Sequence, residues 1–334
     1  MIGSIELGLL YGVVALGVFL TFRVLNFPDL TVDGSFTTGA AVAAAMIVNG
    51  QSPVLATVAG GGAGLVAGIV TGILHTKGRI DGLLAGILTM IALWSVNLRI
   101  MGSSNVSLLR EDTLFTPLRE AQWLGRTWWA VLLLLGFLLV LTLLVDWFLS
   151  TDLGLAIQAT GNNAQMIRSL GVNTDNTKIL TLALSNGLVG LGGAMVAQYQ
   201  GFSDISMGIG LILVGLASVI LGQAIVGQRF LFQATIAVVV GAVLYRLIVF
   251  GALRAGLDPN DMKAITAILV VAALLLPRWG FLKRVPSLRT RGGRVPPREP
   301  APDPVSEIDA EANATAVPAD PPAAAATPPT KAGG

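Results

Sequence analysis

Apolar residues arrive along this chain in blocks of roughly 17 to 23, parted by short polar stretches, and a helix of about 20 residues spans a hydrocarbon core of about 30 Å. The repetition predicts an all-α polytopic membrane protein with about nine transmembrane segments, at residues 4–22, 35–49, 53–74, 82–101, 128–149, 178–200, 208–226, 230–250 and 262–277. The fifth block opens on Trp128 and Trp129 and closes on Trp147. That separation is about 28 Å along a helix, which fits two interfacial tryptophan belts. Lys and Arg gather in residues 75–79, in the 151–178 loop, at Arg229 and in the run from Arg278 to Arg294, all on one side. The positive-inside rule makes that side cytoplasmic, so nine spans place the N-terminus outside. Arg110, Arg119 and Arg126 face the other way, accompanied by Glu111, Asp112 and Glu120. The first block lacks a basic leader region and is expected to be a mature span.

Laid on itself at an offset of about 175 residues, the chain matches Gly12 to Gly187, Gly17 to Gly192, Phe27 to Phe202, Asp29 to Asp204 and Thr31 to Ser206. Each copy is a Gly-rich span, a Phe-x-Asp-[Leu/Ile]-[Thr/Ser] break and a second small-residue span. Five spans separate equivalent points, and an odd number inverts the second copy. Inverted repeats built on broken helices are a recurrent transporter architecture, with the pathway at the repeat interface. The competing explanation is chance similarity between two low-diversity apolar helices.

Two polar stretches interrupt this pattern. In the first, from Arg23 to Ser35, Pro28 removes a backbone donor and Asp29 and Asp33 are expensive in hydrocarbon unless hydrated or paired. A helix break near the membrane follows. Asn26, Pro28, Asp29, Thr31, Asp33 and Ser35, with Asp204 and Ser206 in the second copy, are the candidate pathway residues, and Asp33 or Ser35 is the expected cap of the next helix. An interfacial loop with its aspartates in water is the plainer alternative. In the second stretch, residues 151–173, Asn162 or Asn163 can cap a short helix, Met166, Ile167 and Leu170 form its apolar stripe, and Gly171 can close it. Such a helix wants a partner, and one lying on the bilayer would carry more Lys and Arg.

Composition narrows the chemistry. Hydrophobic residues make up 54% and charged residues 12% of the chain. The formal net charge of +2 is no footprint for nucleic acid. There is no cysteine and only one histidine, His75, so disulfides, thiolate metal sites and histidine clusters are excluded, and no cofactor or metal is expected. No lysine follows a glycine, which rules out a P-loop. Asp81, Arg99 and Lys263 sit near predicted span ends, so ionisable residues for a proton relay look scarce and the energy is expected from elsewhere. From about residue 286 the chain turns Pro/Ala-rich; residues 1–280 are expected to form the membrane domain and 281–334 a basic, then disordered, cytoplasmic tail.

The segments 26–35 (NFPDLTVDGS), 82–90 (GLLAGILTM), 97–102 (NLRIMG), 159–163 (ATGNN), 170–173 (LGVN), 182–188 (LALSNGL), 198–204 (QYQGFSD) and 207–210 (MGIG) carry a resemblance. Together they resemble permeases of the branched-chain amino acid/ribose class of ABC importers, nearest to the tryptophan/tyrosine-type transport permeases, over about residues 1 to 280. The resemblance implies a non-catalytic subunit of the bacterial inner membrane that works as a permease dimer, here a homodimer. It also implies a cytoplasmic ABC ATPase, an extracytoplasmic substrate-binding protein, and an amino acid or related compound as solute, moved by alternating access. Gly161, Asn162, Asn163, Met166, Ile167, Arg168, Leu170 and Gly171 then look like the coupling helix that docks on the ATPase, with Arg168 facing an acidic groove. The Asp29–Ser35 break looks like pathway lining. A secondary carrier or channel would also explain inverted repeats.

Overall fold

The computed structural model describes residues 1–227, 230–256 and 262–275. Arg229, the end of the ninth expected segment, the basic run and the 281–334 tail lie outside the described residues. Helix α1 (Ile2–Phe19) continues through a π-helical turn (Leu20–Val24) into a non-helical break at residues 25–30, followed by α2 (Thr31–Val48), α3 (Pro53–Thr76) and α4 (Gly82–Met101). Then come a short strand β1 (Asn105–Ser107), α5 (Thr116–Glu120), α6 (Trp128–Ser150), α7 (Asp152–Asn162) and α8 (Ala164–Ser169). The second half comprises α9 (Thr174–Gln200), β2 (Phe202–Asp204), α10 (Leu211–Val226), α11 (Leu231–Arg254) and α12 (Met262–Leu275).

Each of the nine expected segments is a helix. Seven, counting α1 with its π turn, are long and apolar enough to cross a membrane. Helix α10 has only 16 residues, and 14 residues of α12 are described. The shortness of α10 has a local cause: the chain stays non-helical from Ile205 to Gly210, so the helix starts inside the bundle. Helix α2 likewise begins four residues before the expected segment, because the Asp29 carboxylate accepts the Thr31 N–H and starts the helix there. Helix α9 begins at Thr174 instead of 178 because the Asn173 side chain caps it through the amides of Asp175 and Asn176.

The repeat is visible in the packing. Helix α1 lies on α11 as α9 lies on α3, and α2 lies on α3 as α10 lies on α11. Helices α1, α2 and α9 are the most buried, whereas α4 and α6 turn most of their surface outward. Close approach is set by small residues. A Cβ at Gly64 or Gly68 would overlap the Asn186 or Leu182 carbonyl of α9, and one at Gly222 or Gly241 would overlap the Ala237 or Ser218 carbonyl across α10 and α11. Trp128, Trp129 and Trp147 are more than half exposed at the two ends of α6, as interfacial belts require.

The two breaks occupy opposite ends of α4. Phe27 of the first packs on Gly82 at its N-terminus. The second pairs with β1, just past the C-terminus of α4, in the antiparallel register Asn105↔Asp204 and Ser107↔Phe202. Twenty residues of α4 put these points about 30 Å apart, a full hydrocarbon thickness. Two of the three basic residues that contradicted the charge rule are used by the fold at the strand end. The Arg119 guanidinium donates to the Gln198 and Tyr199 carbonyls at the C-terminus of α9, and that of Arg126 donates to Gln122.

Candidate transport pathway and coupling segment

The first break is held by a buried polar network. Asn26 takes a left-handed φ of 54°, which turns the chain out of the π helix. The Phe27 amide still reaches back to the Thr21 carbonyl, and Pro28, which has no donor, follows. Asp29 is 2% exposed. Its Oδ1 accepts the Thr31 N–H at 2.9 Å and its Oδ2 accepts Asn186 Nδ2 at 2.7 Å. Burial raises the Asp29 carboxyl above its ordinary range, and the hydrogen bonds from Thr31 and Asn186 work against that rise. Ser35 donates to Asn186 Oδ1 at 2.7 Å, and the Thr31 hydroxyl meets that of Thr71 on α3. One asparagine of the second repeat thus holds two polar residues of the first.

The second break repeats this local chemistry at the other end. Gly201, equivalent to Asn26 at the 175-residue offset, has φ 82°. Asp204 Oδ1 accepts the Ser206 N–H at 2.8 Å and the Ser206 hydroxyl, and Oδ2 accepts Asn105 Nδ2 at 3.3 Å. Partial burial pushes the Asp204 carboxyl up, but the bonds from Ser206 and Asn105 outweigh it and hold the group below its ordinary value. A left-handed residue followed three positions later by an aspartate that accepts the i+2 amide recurs in both copies. Chance similarity of apolar helices would not produce that.

Asp33 corrects the sequence reading. It sits within the first turn of α2 and does not cap that helix; Ser35 does not cap it either. The Asp33 carboxylate instead accepts the Gly210 and Ile212 amides, each at 2.8 Å, at the start of α10. A carboxylate at a helix N-terminus satisfies free donors and meets the positive end of the dipole. Beside it, α2, α4 and the 205–210 turn enclose a cavity of ≈ 360 Å³ lined by Asp33, Thr37, Met90, Trp94, Asn97 and Ile209. Asn97 is 1% exposed, and its Oδ1 has no partner among the described residues.

The 151–173 segment forms two short helices. Asn163 caps α8, accepting the Met166 N–H at 3.0 Å, while Asn162 ends α7. Gly171 closes the turn with φ 87°. Ile167 packs inward, whereas Met166 and Leu170 are 53% and 70% exposed. Arg168 donates to Thr174 Oγ1 at 2.7 Å and pairs with Asp175 at 3.3 Å, while its side chain stays largely exposed. Gly161 has a role the sequence did not disclose. A Cβ there would overlap the Val24 carbonyl oxygen and press on Leu25, so α7 rests directly on the first break.

Several polar residues inside spans carried no motif. Glu6 is fully buried, accepting the Gly125 N–H at 2.9 Å and the Tyr199 hydroxyl at 2.8 Å. Asp146 accepts from Thr235 at 2.9 Å. Arg246 lies over the Tyr11 ring. Ionisable groups are therefore less scarce in the spans than the sequence indicated, and their number does not by itself argue against a coupled carrier.

Two transmembrane repeats with an Asp-centred break in each, the first buried and the second partly exposed, and a short capped helix pair resting on the first, have the architecture of a transporter subunit. The chain belongs to the family described as branched-chain amino acid transport system permease components, whose model matches residues 1–291. It is 42% identical over 266 residues to the tyrosine transport system permease protein of Clostridioides difficile strain R20291, covering 80% of this chain and 87% of the relative. The galactofuranose transporter permease protein YtfT of Escherichia coli K12 is 28% identical over 267 residues, 79% of this chain and 75% of its own. The autoinducer 2 import system permease protein LsrC of Salmonella typhimurium is 29% identical over 279 residues, 74% and 76% of the two chains. No solved structure gives a significant match. The relatives are transport permease components, and this chain is a multi-pass membrane permease component and not an enzyme.

Proposed function

We propose that this permease moves an amino acid or related small solute inward across a bacterial inner membrane, driven by a separate ABC ATPase that docks on α7–α8. The observation that carries the reading is the seat of Gly161 on the Val24–Leu25 backbone. A displacement of α7–α8 by a docked partner reaches the first break with no flexible side chain between them. Exposed Met166 and Leu170 supply an apolar docking tip, because apolar groups presented by a short surface helix are covered in a working assembly. The face carrying the first break is then cytoplasmic, and the β1–β2 face receives the extracytoplasmic substrate-binding protein. The outward surface of α4 and α6 is shared between lipid and a second copy of the chain. The amino-acid assignment draws on the tyrosine permease relative.

The test is reconstitution of the complete importer in vesicles. Gly161→Val is expected to leave ATP hydrolysis in place while lowering solute uptake about tenfold or more, as loss of a transmitting contact does when coupling is worth a few kcal/mol. Met166→Asp with Leu170→Asp is expected to abolish co-purification of the ATPase. Full uptake by the Gly161 variant would refute the transmission path, and unchanged ATPase capture by the double variant would refute the docking site.

A further inference from the structure

A second cavity, of ≈ 360 Å³, lies on the other side of the α10 start, lined by Tyr11, Met207, Ile209, Leu213, Tyr245 and Arg246. Arg246 belongs to α11, eight residues before its end, which places it about 12 Å inside the span. Its guanidinium carbon lies 3.7 Å from the centroid of the Tyr11 ring. Its Nε is buried without a hydrogen-bond partner, and the one ion pair among the described residues joins Arg168 to Asp175. Among the described residues Arg246 is therefore a cation within a membrane span with no carboxylate of its own. Such residues are expensive in hydrocarbon and mark substrate pathways or water-filled cavities.

We propose that this cavity is a station for the carboxylate of the transported solute, with Arg246 as the carboxylate-binding residue. The guanidinium fork matches a carboxylate in two parallel hydrogen bonds, and the Tyr11 face holds it by cation–π attraction until the anion arrives. Met207, Ile209 and Leu213 offer an apolar wall for the body of the solute, and the volume suits a small molecule, for which sites run from about 300 Å³ upward. Ile209 also lines the Asp33–Asn97 cavity, and Gly210, whose amide is bound by Asp33, borders this one. The two cavities thus adjoin along one route at the start of α10. The station selects a small acid with an apolar body over an uncharged solute. This inference rests on the permease reading and adds the chemical class of its solute.

The natural chain has no cysteine, so a single introduced thiol reports on the cavity alone. Purified full-length Met207→Cys is labelled with anionic sulfonatoethyl or cationic trimethylammonioethyl methanethiosulfonate, without ATPase or binding protein. Leu213→Cys serves as the alternate position if the first variant fails size exclusion. The anionic reagent is expected to react about tenfold faster relative to the cationic one than it does when Arg246→Gln is added, a focusing effect of ordinary size for a lined cleft. L-Tyrosine is expected to slow labelling, and tyrosinamide is not. A reagent ratio indifferent to Arg246, or equal protection by acid and amide, overturns the proposal. Selectivity present in maltoside micelles but lost in phospholipid nanodiscs also overturns it and assigns Arg246 to a lipid phosphate. Because the ATPase plays no part, failure here leaves the coupling reading standing, and failure of coupling leaves this result interpretable.

Discussion

The Asp29–Asn186 pair lets the joint between the two repeats be measured. Asp29 Oδ2 accepts Asn186 Nδ2 at 2.7 Å while Oδ1 accepts the Thr31 amide at 2.9 Å. Asp29→Asn keeps the volume and one acceptor, but turns an NH₂ group toward the NH₂ of Asn186. A flip of Asn186 to relieve this would abandon its bond to the Leu182 carbonyl. Either arrangement loses a charge-assisted bond worth about 1.5–3 kcal/mol and leaves a buried donor unpaired. The single variant is expected to unfold about 5 °C lower, on the order of 2 kcal/mol for a chain of this size. Asn186→Asp alone sets two carboxylates face to face and is expected to be worse. The exchange Asp29→Asn with Asn186→Asp restores donor against acceptor, so a double-mutant cycle in detergent, followed by tryptophan fluorescence, is expected to show a favourable coupling of about 1.5 kcal/mol or more. Additive losses, with the exchanged variant as unstable as the sum of the singles, would refute the claim that this bond joins the repeats.

Other outcomes follow from the same geometry. Asp33→Asn keeps one acceptor for the α10 amides but loses the charge at the helix start, and is expected to lower stability by about 1–2 kcal/mol in the same fluorescence assay. Gly68→Ala drives a methyl into the Leu182 carbonyl and is expected to destabilise by about 1–3 kcal/mol, whereas Gly62→Ala, with open space around it, is expected to be neutral or slightly stabilising. Asp204, held below its ordinary pKa, contributes stability that is fully present above the unfolded value of about 3.9 and is lost as pH falls through the folded one. The natural chain is therefore expected to be more stable than Asp204→Asn above about pH 4, and the gap between their acid unfolding profiles is expected to close as pH falls below that value.

Patterns carried by consecutive residues were legible in the sequence. The block from Gly82 and the one opened by Trp128 and Trp129 are helices starting at those residues, because length and hydropathy alone define a span. The repeat was legible because both breaks use a short Phe-x-Asp motif. Asp33 was misplaced because capping preference is local, while the amides it satisfies lie 177 residues away in the chain. Arg246 stands singly in an apolar run with no periodic or motif signal, and Asn97, although it opens the 97–102 stretch that carries the resemblance, has nothing local to mark it as lining a cavity; only the folding of α4 and α11 around the α10 start sets them there. Gly161 was singled out as part of a docking surface. Its contact faces inward, which spacing cannot reveal.

Asp33 has a mechanical consequence. Its carboxylate fastens the first turn of α2 in one repeat to the first turn of α10 in the other. A relative movement of the halves that keeps this cap must turn about it, since sliding would strip two amides of their acceptor. Asp33 is then a pivot, and each helix that leaves it is a lever arm. Helix α2, with 18 residues, is about 27 Å long. A tilt of about 10° at the pivot moves its far end by about 5 Å, the width of a side chain, while the cap itself stays closed.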